Sequence, residues 1–374
     1  MDKFSSGLYI SQKTYKSFQP NTINRQWQIV NPEIISLLSQ ADRQLGRLDM
    51  FSNYVPNIDL FISMHILKEA TKSSKIEGTQ TNMEEALLDA KDIAPEKKDD
   101  WDEVQNYILA MQRAIENLGR IPLSTRLIKQ THKVLLQGVR GEHKQPGEFR
   151  NSQNWIGGAS IQDAVFIPPV HTSVPEFMSD LEKFIHNDGL QIPELIKIAI
   201  LHYQFETIHP FLDGNGRIGR LLITLYLVQK EILKKPILYL SDFFERNRQL
   251  YYSNLMLVRE RNDLQQWIKF FLVGIVETAK SSIDTFEKIL QLKSEVENLT
   301  LSKGSRAGAI QMVLEYLYNK PVITASIVSS ITKQSIATSY SIVSIMEGLG
   351  ILKEITGGKR NRSYLFLDYL NLYR

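Results

Sequence analysis

The chain has 374 residues, 43% of them hydrophobic, and its 44 basic and 41 acidic side chains leave a formal net charge of +3. That length suggests two or three domains with cores of their own, and charge so nearly balanced does not call for nucleic acid or an acidic membrane as a partner. The absence of cysteine excludes a disulfide framework and thiol catalysis, and with no apolar leader core or membrane-length apolar run the expected location is the cytoplasm, with no membrane partner.

Taken in chain order, a helical run begins near Asp59 and ends in A-T-K-S-S-K-I-E-G-T at 70–79. On residues alone Gly78 is a C-terminal stop and Glu77 an exposed charge. Residues 91–102 mix both charge signs and read as a solvated connection. The segment P-G-E-F-R-N-S-Q-N-W-I-G-G at 146–158, followed by A-V-F-I-P-P at 164–169, reads as an extended loop or hairpin. Gly157 and Gly158 make its turn, 165–167 have strand composition, and two prolines stop it.

Residues 194–207 show helical spacing of Leu195, Ile198, Leu201 and Phe205. The string H-P-F-L-D-G-N-G-R-I-G-R follows at 209–220, directly before the apolar run 221–228. Asp213, Gly214, Asn215 and Gly216 are turn formers, and a helix starting after them leaves its first backbone N–H groups unpaired, which is a place for an anion. Arg217 and Arg220 lie three apart on one helical face and can grip more than one phosphate, so the expected ligand is a polyphosphate. Gly214, Gly216 and Gly219 also satisfy G-x-G-x-x-G, but the context is helix, loop, helix rather than a strand in a βαβ unit, and no P-loop pattern occurs. His202, Glu206 and His209 could mimic a metal cluster, although no familiar zinc spacing fits. The other histidines, His65, His132, His143, His171 and His186 together with His202, read as surface or core positions.

Residues 242–259 read as one helical stretch whose Tyr251 or Tyr252 either stacks on adenine or packs in the core. An apolar helix at 267–276 continues to near Leu292, and a polar hinge at 298–306 opens a small C-terminal domain. That domain has an amphipathic helix at 309–318, a helix capped by Thr324 running to Ile331, and a third at 336–349. Strands at 351–356 and 363–367 flank a basic turn formed by Gly357, Gly358, Lys359, Arg360, Asn361 and Arg362, and the whole resembles a winged helix. The exposed start of its third helix offers Thr332, Lys333, Gln334, Ser335 and Thr338, with few arginines for reading DNA, so duplex binding stays a second hypothesis beside docking of protein or of a second copy.

His209, Phe211, Asp213, Gly214, Asn215, Gly216, Arg217 and Arg220 match the H-x-F-x-[DE]-G-N-G-R-x-x-R motif, and the chain is identified on it as resembling Fic-domain proteins. The resemblance implies a mostly α-helical fold with a β-hairpin flap, joined here to the C-terminal winged helix, in three parts: 1–110, 111–297 and 305–374. It implies transfer of AMP from ATP to a Ser, Thr or Tyr hydroxyl of a target protein, the chain itself included, with Mg²⁺ as cofactor. An imidazole suits proton removal near neutral pH and a hard carboxylate suits Mg²⁺. His209 is then the base and Asp213 the metal ligand. Asn215 and the Gly214 and Gly216 backbone cradle the α- and β-phosphates, while Arg217 holds the β-phosphate and Arg220 the γ-phosphate.

Ser73, Glu77 and Gly78 match the family's [ST]-x-x-x-E-[GN] inhibitory motif, whose glutamate pairs with the second motif arginine, here Arg220. The flap, with Ile156, Gly157, Gly158, Phe166 and Ile167, is implied to hold a target segment by backbone pairing, and Phe211 to anchor the motif loop. Relatives that transfer another phosphate-containing group, or that remove AMP, supply alternative activities.

Overall fold

The computed structural model describes residues 4–55, 57–301, 304–358 and 362–374. It opens with an antiparallel hairpin of β1 (Gly7–Ser11) and β2 (Lys16–Pro20) that the sequence pattern does not announce. The helices that follow are α1 (Pro32–Tyr54), α2 (Ile58–Ile76), α3 (Met83–Leu87), α4 (Lys98–Leu118), α5 (Thr125–Leu135) and α6 (Val174–His186). Then come α7 (Glu194–Ile208), α8 (Asn215–Gln229), α9 (Ser241–Arg246), α10 (Arg248–Arg261) and α11 (Leu264–Leu301). The C-terminal unit runs α12 (Ala307–Asn319), β3 (Val322–Thr324), α13 (Ala325–Thr332), α14 (Ile336–Gly348), β4 (Lys353–Glu354), β5 (Ser363–Leu365) and α15 (Leu367–Asn371).

Local chemistry explains several boundaries. Asn31 caps α1 by accepting from the N–H groups of Glu33 and Ile34, and Asn82 with Glu85 forms a capping box on α3. Thr324 caps α13 through the N–H of Ile327, as its sequence position suggests. Every residue of α7 from 195 to 208 is buried, and most of α8 with it. A helix apolar on all sides belongs in the middle of a bundle, and the α7–α8 pair holds that place, so the loop between them is presented by two rigid elements.

Several expectations need correction. Residues 91–102 are not a solvated connection throughout, because α4 already starts at Lys98, and that helix also runs through residue 110, where the sequence reading divides two parts. Residues 242–259 form two helices rather than one, broken at Asn247, whose φ is −111° and ψ 32°. The long helix passes Leu292 and continues through the first part of the expected hinge. In the C-terminal unit the sheet order is β3-β5-β4, all antiparallel, with β3 an unexpected strand. Lys359, Arg360 and Asn361 of the expected basic turn lie outside the described residues. Among the described residues no helix is long and apolar enough to cross a membrane.

Candidate active site

The motif loop is built by its own backbone. His209 ends α7 in the left-handed region, with φ 49°, and its N–H bonds to the Phe205 carbonyl. A non-glycine residue seldom adopts that conformation. Here it turns the imidazole out of the helix and into a cavity of about 610 Å³. Gly214, with φ 75°, stands at the N-cap of α8, and α8 therefore starts with free N–H groups at the loop.

Asn215 also braces the loop. Its side chain is buried, its Oδ1 accepts from Phe211 N at 2.8 Å and its Nδ2 donates to Phe211 O at 2.8 Å. Both functions are used in bracing the loop, which leaves one Nδ2 hydrogen uncommitted. Phe211 is buried as expected, and His132 stacks on it with ring centroids 3.7 Å apart. His132 Nε2 donates to Asp213 O at 2.9 Å and its Nδ1 accepts from Gly147 N at 2.8 Å. Burial first, against the Asp213 carbonyl bond, lowers the His132 imidazole to about 4. Sequence reasoning passed over this residue because its partner lies 81 positions away.

Asp213 Oδ1 accepts from Gly214 N at 2.6 Å, and the side chain stays 44% exposed. Among the described residues no three acidic or imidazole groups converge on a metal position. One accessible carboxylate fits Mg²⁺, which takes one or two protein carboxylates and completes its shell with phosphate oxygens and water. Arg217 is buried, 3.4 Å from Glu103 Oε2 and 3.7 Å from Asp213 Oδ1, with its Nε unpartnered. Glu103 also takes Arg140 Nε at 2.7 Å, and it is a second neighbour that sequence reasoning missed.

Arg220 is enclosed by the end of α2. Its Nε donates to Ser73 Oγ at 2.8 Å, and its Nη2 donates to Ser73 O at 2.9 Å and to Glu77 Oε1 at 2.6 Å. Burial pushes the Glu77 carboxyl up, and the hydrogen-bonded Arg220, helped by Arg217, more than reverses this and holds it below its ordinary value. The Glu77 carboxylate lies directly over Gly216, where an added Cβ would overlap Oε1. Only glycine leaves this room above the first turn of α8.

His209 Nδ1 has no hydrogen-bond partner, and burial, with the Arg150 and Arg259 charges adding to it, lowers the imidazole to about 3. The ring is therefore neutral at physiological pH and free to take a proton. Arg150, buried, fixes the loop from the flap side, donating from Nε to His209 O at 2.9 Å and from Nη2 to Pro169 O at 2.5 Å.

The flap is narrower than its sequence suggests. Ile156 and Phe166 form an isolated bridge, with Ile156 N donating to Phe166 O at 2.8 Å, and 165–167 are not a strand. Phe166 and Ile167 are buried. Phe166 lies under the Arg259 guanidinium at 3.8 Å, and Ile167 O accepts from Phe18 N of β2. These two anchor the flap instead of facing a target, whereas Trp155 and Val165 are exposed.

Of the two readings of Tyr251, core packing is the one the structure shows. It is buried, stacks on Phe244 at 4.5 Å and donates to His202 Nε2 at 2.9 Å. Of the pair, Tyr252 has the exposed face. His202, whose Nδ1 donates to Gly219 O at 2.8 Å, is held as a neutral core residue and not a metal ligand. The cavity brings together Glu77, Ile156, Gly157, Phe166, His209, Gly216, Arg220, Tyr251 and Tyr252. Asp213, Gly214, Asn215, Arg217, Ser73, Gly78, Gly158 and Ile167 are not among the residues lining it.

Residues 35–116 match the model of the Fic/DOC family N-terminal region and residues 122–227 that of the Fic/DOC family, together just over half of the chain. The chain belongs to the Fic/DOC family. Among curated relatives it is 26% identical over 187 residues to protein adenylyltransferase Fic of Drosophila erecta and 27% identical to that of Drosophila melanogaster. Each match covers 48% of this chain and 34% of the relative, so the chain spans about a third of the length of these proteins. A Fic family protein from Desulfovibrio desulfuricans G20 has the same fold, with a TM-score of 0.58 at 19% identity over 91% of this chain and 98% of that one. Fic-1 of C. elegans aligns with a TM-score of 0.52 at 19% identity, covering 69% of this chain and 75% of that one. The Fic fold thus accounts for the helical body, the motif loop and the segment at the end of α2.

Proposed function

We propose that this Fic protein is a protein adenylyltransferase, moving AMP from ATP to a Ser, Thr or Tyr hydroxyl of a target protein, and that Glu77 inhibits it in cis. The observation that carries this reading is the placement of Glu77 on Arg220 and above Gly216, in the same cavity as His209. A carboxylate there occupies the guanidinium fork and the helix N-terminus that a polyphosphate needs.

The step is a substitution at the α-phosphorus. The target hydroxyl oxygen bonds to it, the bond to the bridging oxygen of the β-phosphate breaks, and pyrophosphate leaves with those electrons. Unpartnered His209 Nδ1 faces no competitor for the hydroxyl proton, and the negative charge of a bound polyphosphate strengthens this base. The free N–H groups of Asn215 and Gly216 receive phosphate oxygens, Arg217 supports the β-phosphate, and Arg220 takes the γ-phosphate once Glu77 withdraws. Asp213 would hold Mg²⁺, which when bound would neutralise phosphate charge. Tyr252 offers an aromatic face to adenine, and the exposed flap residues Trp155 and Val165 offer apolar contact to the target.

Intact-mass measurement after incubation with Mg²⁺ and ATP tests this. Replacing Glu77 with Gly removes one charge-assisted hydrogen bond, of about 1.5–3 kcal/mol, so AMP addition should rise by about tenfold or more over wild type. Addition should vanish in Glu77→Gly combined with His209→Ala. A phosphate-sized gain would mean the nucleotide binds reversed, and equal rates in wild type and Glu77→Gly would remove the inhibitory role.

A further inference from the structure

The mechanism above leaves the second carboxyl of the cavity unused. Glu206 stands on the last turn of α7, three residues before His209, and is 6% exposed. Its Oε1 has no hydrogen-bond partner, and the carboxyl lodges against Gly219, where an added Cβ would overlap that oxygen. Both Glu206 and Glu77 line the cavity.

A buried carboxyl without a partner is costly when charged, and it lowers the cost by holding its proton. The charged groups that act on it come from three elements: Arg220 of α8, Glu77 at the end of α2, and Arg259 of α10. Tyr251 of α10 and His209 adjoin it with neutral rings. Arg220 acts on it through charge and not through a hydrogen bond: its Nε and Nη2 are committed to Ser73 and Glu77, and Glu206 Oε1 stays without a partner. Burial, against the pull of Arg220 and with the push of Glu77, raises the Glu206 carboxyl to about 7.

A polyphosphate in place of Glu77 changes this balance in one direction. Its terminal phosphate carries at least as much negative charge as the carboxylate it displaces, so it favours the protonated form of Glu206 further. A neutral carboxylic acid in an apolar wall is a hydrogen-bond donor, and its ionised form next to phosphate is repulsive.

We propose that Glu206 is a nucleotide-binding residue: protonated, it donates a hydrogen bond to the terminal phosphate that Arg220 receives when Glu77 has withdrawn, so that ATP binding above neutral pH takes up a proton. The inference rests on the adenylyltransferase reading and on the γ-phosphate lying at Arg220. ATP affinity is then set by pH through a residue that does not enter the chemistry.

Calorimetric titration of full-length Glu77→Gly protein, with Mg²⁺ and an ATP analogue whose α–β bridge is methylene, tests it from about pH 6 to about pH 8.5. In two buffers of different ionisation enthalpy the same titrations count protons. Without the push of Glu77 the carboxyl ionises at a lower pH in this protein than in wild type, so affinity should fall across the range, by up to about tenfold per pH unit toward its alkaline end, with proton uptake. Adding Glu206→Gln, which keeps an N–H donor but does not ionise, should flatten that slope and abolish the uptake. The nucleotide's own ionisation is common to both proteins and cancels.

ADP, which lacks the terminal phosphate, should give the same slope in both. Melting curves verify folding, and Glu206→Gln should melt at least as high as its parent at about pH 8, because the buried carboxyl disfavours the folded state once it must ionise. An unchanged slope and proton count in Glu206→Gln, or an equal effect on ADP, overturns the assignment. If Glu77→Gly transfers AMP and the slope does not change, Glu206 alone fails. If it neither binds the analogue nor transfers AMP, the adenylyltransferase reading fails as well.

Discussion

Buried imidazoles set how this protein responds to acid. His65 and His202 are each lowered to about 3, by burial above all and then by Lys68 for the first and, against a helpful Gly219 carbonyl bond, by Arg220 for the second. His132 is lowered to about 4 by burial. The unfolded chain binds a proton at each near the ordinary value of about 6.5, whereas the folded chain does not bind one until far lower. The unfolded state therefore holds more protons between those limits, and stability is lost as pH falls from about 6.5 toward 4. At about pH 5 the loss is about 2 kcal/mol for each fully buried ring. Thermal melting should drop by several degrees between about pH 7 and about pH 5. His65→Phe, at a site packed against Phe286 and Tyr373, should reduce that drop, and an unaltered drop would assign the acid sensitivity to other groups.

At the scale of elements, the loop between α7 and α8 depends on the two hydrogen bonds by which Asn215 closes it on Phe211. Asn215→Ala strands a buried N–H and C=O at about 1–3 kcal/mol each. It should therefore lower stability by about 2–4 kcal/mol and reduce AMP transfer, as chemical denaturation and intact mass will report. This loop was legible in sequence because its chemistry is local: base, turn formers and arginines stand within one short run. Its supports were not, because His132, Glu103 and Glu77 meet it from 81, 114 and 143 positions away, and only a family resemblance pointed to the last. Helix edges with a capping side chain, such as Thr324 on α13, could be read. The break at Asn247 could not, since no proline or glycine marks it and its Nδ2 is instead satisfied by the Phe243 carbonyl. Strand β1 escaped because Leu8, Tyr9 and Ile10 are all exposed, so no period-2 alternation arises. The extension of α11 past Leu292 rests on polar pairs four apart, Gln291 with Glu295 and Lys293 with Glu297, which composition alone reads as a hinge.

For the whole molecule, the C-terminal unit and the segment that carries Glu77 are joined through α2. The first half of that helix packs on the C-terminal unit: Phe61 lies 5.5 Å from Tyr318 and 6.4 Å from Tyr369, His65 lies 5.0 Å from Tyr373, and Ser63 Oγ donates to Asn319 O at 2.9 Å. The second half is held to α9, where Lys72 and Lys75 pair with Asp242 and Glu245. Glu69, buried between them, accepts from Tyr107 Oη and from the backbone and hydroxyl of Ser241. α2 is unbroken from Ile58 to Ile76, which makes it the direct structural link between Phe61 and Glu77. Tyr373→Ala opens a cavity beside His65 and should destabilise the protein by about 3–5 kcal/mol. If Glu77 inhibits as proposed and α2 carries the coupling, it should also raise AMP transfer several-fold while Glu77 is present, and add nothing in the Glu77→Gly protein. Equal transfer by wild type and Tyr373→Ala, with both folded at the assay temperature, would uncouple the two ends.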